Sequence, residues 1–341
     1  MTDSRITNFS KIDKILLDKE LKSGREMTLQ FSYKKYDNIL LSEINELCSQ
    51  YNENLSIRFY DHGKTGFDCN ALLKIPNVKN LCIDCLDSAK NVKALSELEK
   101  LVSLNIGILK LEDYEILRLE NLQGLQKLGI TETISTKVNL EYLAHYAKLK
   151  ELYIDGHTKN INSIGGLQKL ETLYLRAIKK TPLNFMNEMQ GLETLHILLG
   201  GRHNLNEIET SNIKNLTIDW VLGFNDISGI LKLKKLEKLK LSLLKQLKTI
   251  KIQSTNTSLK DLWIFGCKDL NIIEGLDKLK VLIELGLIEV SMKFEEFLKL
   301  PLPKTLKVLD FCTFKERQDK EIRALIKSLG YKTIDKFGNR E

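Results

Sequence analysis

The chain has 341 residues, of which 43% are hydrophobic and 28% are charged, and its formal net charge is +7. This composition is typical of a folded protein with a large core, which excludes an intrinsically disordered chain. The N-terminal segment MTDSRITNFSKIDKILLDKE has no apolar run long enough for a signal peptide or a membrane span. The six cysteines are scattered, which favours reduced thiols over a disulfide framework. The sequence therefore predicts a cytoplasmic protein without a membrane partner.

Residues 1–54 are expected to form an N-terminal cap. Residues 1–26 are predicted to contribute a covering helix, and residues 27–33 alternate between apolar and polar positions as a strand does. A helix should follow, because apolar residues recur there at helical spacing: Ile39, Leu40, Ile44, Leu47 and Cys48.

Residues 55–313 contain a pair of apolar residues, separated by one position, about every 23 residues. A fixed period of this size indicates a stack of similar supersecondary units. Alternation within each pair predicts a half-buried strand, and strands one repeat apart are expected to lie in parallel. The pairs are Leu55/Ile57, Leu81/Ile83, Leu104/Ile106, Leu128/Ile130, Leu152/Ile154, Leu173/Leu175, Leu195/Ile197, Leu216/Ile218, Leu239/Leu241, Leu262/Ile264, Leu285/Leu287 and Leu309/Phe311.

Four segments carry a family resemblance: GLQKLETLYL (166–175), GLETLHI (191–197), LKKLEKLKL (233–241) and EGLDKLKVLIELGL (274–287). They resemble leucine-rich repeats of the short class, with about 21–24 residues per repeat. Bacterial internalin-type proteins and an intracellular phosphatase regulator share that class. The resemblance implies an α/β leucine-rich-repeat solenoid, or horseshoe. Its concave side would be a parallel β-sheet of about 12–13 strands, its convex side helical or 3-10, and both ends would carry helical caps.

The sequence departs from that family in its turns, because the usual asparagine after the strand is replaced, for example by Leu109, His157 and Ile178. Irregular turns are therefore expected at these positions. At the other end of the chain, residues 314–341 are expected to form the C-terminal cap. Residues 319–330 have the pattern of an amphipathic helix that ends at Gly330.

The resemblance places binding on the concave strand face, where the residues between and just after the paired leucines point outward. Aromatic residues and arginine at such positions are typical of protein interfaces, although aromatics also suit strand surfaces for purely structural reasons. Tyr153, Tyr174 and His196 fall on consecutive strands and should stand about 4.8 Å apart per strand. The predicted partner-binding residues are Tyr153, Asp155, Tyr174, Arg176, His196, Asp219, Lys240, Trp263 and Phe265.

Charges at these outward positions oppose the net charge of the chain. The acidic residues are Asp84, Glu132, Asp155, Asp219, Glu289 and Asp310, and the basic ones are Arg58, Arg176 and Lys240. This bias predicts a protein partner with a basic surface patch. The lysine-rich segment 232–251 mostly flanks the strands and indicates a solvated face, whereas a nucleic-acid groove would need lysines on the strands themselves.

Motifs for catalysis or metal binding are incomplete. Asp61-His-Gly-Lys-Thr65 follows a strand, but Arg58 stands where a phosphate loop has its first glycine. Cys82 and Cys85 form a single CxxC on a predicted strand, where residues three apart should face opposite sides. The sequence predicts neither an enzyme, a cofactor, a metal site nor a small-molecule ligand.

The favoured interpretation is a non-enzymatic module that binds a protein partner on its concave strand face. One alternative is an immunity or inhibitor protein that neutralises a basic toxin or nuclease. Another is a nucleic-acid-binding protein that uses the lysine-rich flank, which the distribution of charge does not favour.

Overall fold

The computed structural model describes residues 4–51, 54–131, 133–135, 137–179, 181–209 and 212–334. They divide into two compact units, Met1–Leu170 and Glu171–Glu341. In both units short parallel strands alternate with 3-10 turns and irregular loops.

The first unit begins with strand–helix pairs and continues with strand–turn repeats. Its strands, in the order of their pairing, are β1, β2, β3, β5, β6, β7 and β8, and β4 pairs separately with β5. In chain order the elements are β1 (Ser4–Thr7), α1 (Lys14–Lys22), β2 (Met27–Phe31), α2 (Asn38–Gln50), β3 (Leu55–Tyr60), β4 (Phe67–Asp68), β5 (Asn80–Lys90), β6 (Ser103–Lys110), β7 (Lys127–Ile130) and β8 (Glu151–Asp155).

The second unit continues the strand–turn pattern and ends in a helix. Its main sheet has the order β9, β10, β11, β12, β14, β16, β17, and β13 pairs with β15 on the other side of the repeats. In chain order the elements are β9 (Thr172–Arg176), β10 (Thr194–Leu198), β11 (Asn215–Asp219), β12 (Lys238–Ser242), β13 (Thr249–Lys251), β14 (Asp261–Phe265), β15 (Ile272–Glu274), β16 (Glu284–Ile288), α3 (Phe294–Phe297), β17 (Val308–Cys312) and α4 (Glu316–Ser328).

The paired apolar residues stack on their counterparts in the neighbouring strands. Leu216 pairs with Leu239, and Leu239 pairs with Leu262. Every member of the twelve predicted pairs is 3% exposed or less. Burial of one such side chain contributes about 1.5–3 kcal/mol relative to exposure, so this ladder of side chains is the core of each unit. The predicted strand register is confirmed.

The turns after the strands of the second unit are regular, so the expected irregularity is wrong there. In the main sheet, each strand from β9 to β16 is followed by a residue with positive φ whose backbone N–H donates to a carbonyl of the next strand. The pairs are Ala177–Leu198, Leu199–Asp219, Trp220–Ser242, Leu243–Phe265, Gly266–Ile288 and Glu289–Cys312, at 2.7–2.9 Å. These hydrogen bonds satisfy backbone groups that asparagine side chains would otherwise satisfy. The position after the turn residue can therefore be apolar, as at Ile178, Val221 and Leu244.

In the first unit, a side chain after strand β8 forms a hydrogen bond of this kind. His157 is fully buried, and its Nε2 lies 2.9 Å from the carbonyl oxygen of Thr131. An imidazole therefore satisfies a backbone group where asparagine was expected.

The ends of the chain contain the expected helices and one further strand. Asp37 caps α2, since its carboxylate accepts from the Leu40 amide at 2.8 Å, and Asp13 caps α1 in the same way. The strand β1, which the sequence did not predict, precedes α1 and pairs with β2. The C-terminal helix α4 is present and begins at Glu316, three residues before the predicted start. Within the described ranges, every helix is too short or too polar to cross a membrane.

Candidate functional site

The outward residues of the second unit form two rows across the main sheet. The middle row contains the residues between the paired leucines, which are Tyr174, His196, Thr217, Lys240, Trp263, Gly286 and Asp310. The end row, two residues further along each strand, contains Arg176, Leu198, Asp219, Ser242, Phe265, Ile288 and Cys312. Seven of the nine predicted site residues lie in these rows, because strands one repeat apart pair without a shift in register.

Tyr174 and His196 stand face to face at one end of the middle row. Their ring centroids are 4.4 Å apart and the planes differ by 10°. Both residues are half-buried, so one flat, partly exposed aromatic surface spans two strands. Burial lowers the pKa of His196, and the positive charge of Lys240 lowers it further. The imidazole is therefore neutral near pH 7, and the ring that stacks on Tyr174 carries no charge.

The end row beside this stack is polar. Arg176 is half-buried, and Asp219 is half-buried with one carboxylate oxygen, Oδ1, that has no hydrogen-bond partner among the described residues. Leu198 lies between them in the register. The stack thus has an arginine and an acceptor oxygen along one side.

The other end of the middle row is dominated by Trp263. It is half-buried and occupies the space over Gly286, where a Cβ would overlap its six-membered ring. Phe265 is 40% exposed and meets Phe314 edge to face, with ring centroids 6.2 Å apart. Lys240 is exposed beside Trp263.

A cavity of about 850 Å³ opens between these rings and helix α4, and we call it the C-terminal pocket. Its lining includes Lys240, Trp263, Phe265, Asp310, Phe314 and Arg323. The repeat pattern did not identify Phe314 or Arg323, and it marked Asp310 only as an outward charge. Arg323 is four residues after Asp319 and therefore on the same face of α4, but the burial of Asp319 that makes this spacing informative is visible only in the structure.

Two predicted site residues lie in the first unit, on β8. Tyr153 is half-buried at the position between the paired apolar residues. Asp155 is only 3% exposed, so the expectation that it forms an accessible contact is wrong. It is the last residue of β8, and the chain turns at Gly156 and buries the next side chain, His157.

The acidic bias of the outward positions does not produce an exposed acidic surface. Asp84 pairs with Arg58 at 2.7 Å, and Glu289 pairs with Lys268 at 2.8 Å. Asp310 is 7% exposed and Asp155 is buried. Glu132 lies outside the described residues. Counting charges from the sequence therefore overstated the acidity that a partner would meet.

Two lysines of segment 232–251 form ion pairs between neighbouring repeats, and a third forms a hydrogen bond. Lys238 lies 3.5 Å from Asp261 and Lys251 lies 3.4 Å from Glu274. Lys235 donates to Asn212 at 2.6 Å. Such exposed pairs each contribute about 0–1 kcal/mol, but they partly neutralise the charge that a polyanion would need.

Strand β5 places its two cysteines differently from the expectation. A register shift between Ile83 and Leu86 breaks the alternation of the strand. Cys85 is exposed and its Sγ accepts from Arg58 at 3.8 Å, while Cys82 accepts from Asn105 at 3.3 Å. Arg58 lies directly opposite Cys82 on the neighbouring strand and also donates to Cys85, so the inference that the two cysteines face opposite sides is wrong. In the described part of the chain, no group of three or more metal-ligating side chains comes together.

No protein-family model matches the sequence, and comparison with curated proteins gives no match. Among solved structures, the chain is similar to an internalin from Listeria monocytogenes, with 17% identity, a TM-score of 0.44, and coverage of 84% of this chain and 80% of that one. It is also similar to a leucine-rich-repeat protein from Leptospira interrogans, with 18% identity, a TM-score of 0.44, and coverage of 91% and 90%.

The strand register itself decides the fold, because neighbouring strands pair at offsets of one repeat. The offset is 21 residues from Leu195 to Leu216 and 24 residues from Leu285 to Leu309. Each unit is a leucine-rich-repeat solenoid. The repeats bury their leucines and present the two rows on the outward face of the strands.

Proposed function

We propose that the protein is a non-enzymatic interaction module that binds a protein partner on the outward strand face of the second unit. The observation that carries this proposal is the stack of Tyr174 on His196, half-buried at the middle of two paired strands. Stacked aromatic rings held on a fixed backbone lose little side-chain entropy on binding, which favours their use as interface anchors.

The surroundings of the stack suit a protein surface. Arg176, Asp219 and Lys240 supply hydrogen-bonding groups around the rings, and Trp263 and Phe265 add apolar area at the far end of the rows. Interfaces combine an aromatic centre with such a polar rim. The predicted contacts of Tyr153 in the first unit remain part of the proposal.

Two more specific predictions, the inhibition of a basic partner and a cytoplasmic location, are not equally supported. The acidic residues that suggested a basic partner are mostly ion-paired or buried, so the inhibitor of a basic toxin or nuclease has no observation in its favour. A reducing, cytoplasmic location accords with the cysteines, all six of which are free thiols.

Site-specific photo-crosslinking tests the proposal. A benzophenone-bearing phenylalanine is placed at position 217, between His196 and Lys240 in the middle row, and the tagged protein is irradiated in cells and in their lysate. We expect one discrete protein adduct, which the Tyr174→Ala/His196→Ala variant reduces at least about tenfold, as expected for loss of two anchors. The folded state of the variant is checked by thermal unfolding.

Two controls make the outcome decisive. The same crosslinker at Lys234, an exposed residue in a turn away from the strands, should give no such adduct, and Tyr33→Ala, which removes an exposed ring of the first unit, should leave the adduct unchanged. Equal adducts from positions 217 and 234, or an adduct that survives the double substitution, would contradict the proposal.

A further inference from the structure

The C-terminal pocket contains two buried polar groups of opposite hydrogen-bonding character. Asp310 on β17 is 7% exposed, and its Oδ1 lacks a hydrogen-bond partner in the described chain. The Nε of Arg323 on α4 is likewise buried, with no acceptor among the described residues. One group needs a donor and the other needs an acceptor. Leaving such groups unsatisfied is costly, so each one calls for a partner.

These two groups do not satisfy each other. Burial raises the pKa of Asp310, while the charge of Arg323 and the backbone N–H of Phe311 oppose that rise. Within the described residues, however, neither a hydrogen bond nor an ion pair joins the two side chains. An acceptor and a donor that are not bonded to each other therefore both line the pocket.

Apart from the exposed Lys240, the neighbouring charged groups that line the pocket form contacts of their own. Asp319 accepts from the amide and the hydroxyl of Thr313 at 2.7 and 2.8 Å and from the Cys312 thiol. Lys320 pairs with Glu316 at 3.0 Å. The pocket therefore has no clear excess of charge of either sign, and a ligand with a single charge has no evident advantage there.

The walls of the pocket are aromatic. Trp263 lies over Gly286, and Phe265 and Phe314 meet edge to face. Such rings can pack against an aliphatic or aromatic group. The volume of about 850 Å³ exceeds what a single water or ion needs.

We propose that the C-terminal pocket binds an apolar residue of an extended peptide segment, with its side chain between Trp263, Phe265 and Phe314. The peptide N–H donates to Asp310 Oδ1, and a peptide carbonyl accepts from Arg323 Nε. A peptide unit offers one donor and one acceptor beside an apolar side chain, which matches the pocket. This inference rests on the proposed function, since it names how a protein partner would be held at the end of the rows.

The test uses Trp263 as its own reporter. The chain has two tryptophans, Trp220 and Trp263, so Trp220→Phe leaves a single indole in the pocket. The probe is N-acetyl-L-leucine N-methylamide, a neutral compound with two peptide groups and an apolar side chain. We expect a saturable change in Trp263 emission with a midpoint of about 1 mM, which suits a ligand of this size.

Variants then separate peptide recognition from filling of an apolar cavity. In the Trp220→Phe background, Asp310→Ala and Arg323→Met should each weaken probe binding about tenfold, because each leaves one peptide group unpaired. Asp310→Asn, which keeps an acceptor oxygen in the same place, should retain most of the binding. Arg317→Met on the exposed side of α4 removes the same charge and should change nothing.

Two further probes distinguish a neutral peptide ligand from a ligand with a single charge. Isopentylamine and 4-methylpentanoate keep the apolar body but carry a single charge, and both should bind more weakly than the neutral amide. Tighter binding of either charged probe than of the neutral amide would overturn the inference. So would probe binding that Asp310→Ala and Arg323→Met leave as tight as in the Trp220→Phe parent, or no saturable change with the neutral amide. None of these titrations needs the protein partner, so they stand apart from the crosslinking result at position 217.

Discussion

The indole of Trp263 lies over Gly286, the residue directly opposite it on the neighbouring strand. The absence of a side chain at Gly286 leaves the space that the ring occupies, and the ring lines the C-terminal pocket. The same arrangement occurs in the first unit, where Asn105 occupies the space over Gly129. An outward glycine in these repeats therefore decides the position of its neighbour's side chain.

Gly286→Ala is expected to displace Trp263 and to lower stability by about 1–3 kcal/mol, the usual cost of overpacking. Denaturant unfolding followed through Trp263 emission in the Trp220→Phe background measures both effects. Gly166→Ala is the matched control, because a Cβ there meets nothing within 4 Å, and it should change stability by less than about 0.5 kcal/mol. Unchanged stability and emission in Gly286→Ala would show that the ring moves freely.

His196 should titrate below its ordinary pKa of about 6.5, since burial and the charge of Lys240 both disfavour its protonation. The unfolded chain then binds the proton more readily. The stability contribution of neutral His196 is complete above about pH 6.5 and is lost as the pH falls through the folded pKa. An NMR titration of the ring proton measures this value directly.

Lys240→Met should raise the pKa of His196 by removing the nearby charge, whereas Lys245→Met, which removes an exposed lysine from the turn after β12, should not. A His196 resonance that titrates at or above pH 6.5 in the unmodified protein would contradict the arrangement described here.

The turn residue Trp220 has a φ of 50° and is 58% exposed. Residues other than glycine cost about 1–2 kcal/mol in this left-handed conformation, so Trp220→Gly should be more stable than Trp220→Ala by about 1 kcal/mol. Thermal unfolding of both variants tests the difference. The same comparison at Leu222, which is exposed but is not among the residues with positive φ, should give the opposite order.

The carboxylate of Asp319 fixes the start of α4 to the end of β17. Burial opposes its ionisation, but hydrogen bonds from Thr313 and Cys312 and the charge of Arg323 lower its pKa overall. Asp319→Ala should therefore destabilise the docking of α4 by about 1–3 kcal/mol, because the part-buried Thr313 amide loses its acceptor. Hydrogen exchange of α4 should accelerate in this variant.

The acid dependence of this contact has a definite direction. The pKa of Asp319 is lower in the folded state than in the unfolded state. Its contribution to stability is therefore present at pH values above the unfolded-state pKa and is lost as the pH falls through the folded-state pKa. Asp319→Ala should remove that part of the acid sensitivity of α4. Glu321→Ala, on the exposed side of the same helix, serves as the control and should leave exchange of α4 unchanged.

The repeat period alone was sufficient to predict the strands, their parallel pairing and the burial of the paired leucines. It succeeded because one apolar ladder fixes the register at every repeat, and a shift by one residue would expose all of it. The same register correctly placed Tyr174 beside His196 and Lys240 beside Trp263.

The sequence could not give the burial and pairing of the outward side chains, which depend on neighbours brought together by folding. Asp155 became buried where the chain turns, and Asp84 found Arg58 on an adjacent strand. The β-bulge in β5 reversed the expected separation of Cys82 and Cys85.

The sequence by itself determined the leucine-rich-repeat fold and the two outward rows, since both follow from local alternation repeated at a fixed period. Only the tertiary structure decided the C-terminal pocket. Asp310 and Arg323 lie on a strand and on the helix that follows it, and their distance depends on how α4 packs against β17. A periodic sequence pattern contains no information about that packing, because the helix lies outside the repeat.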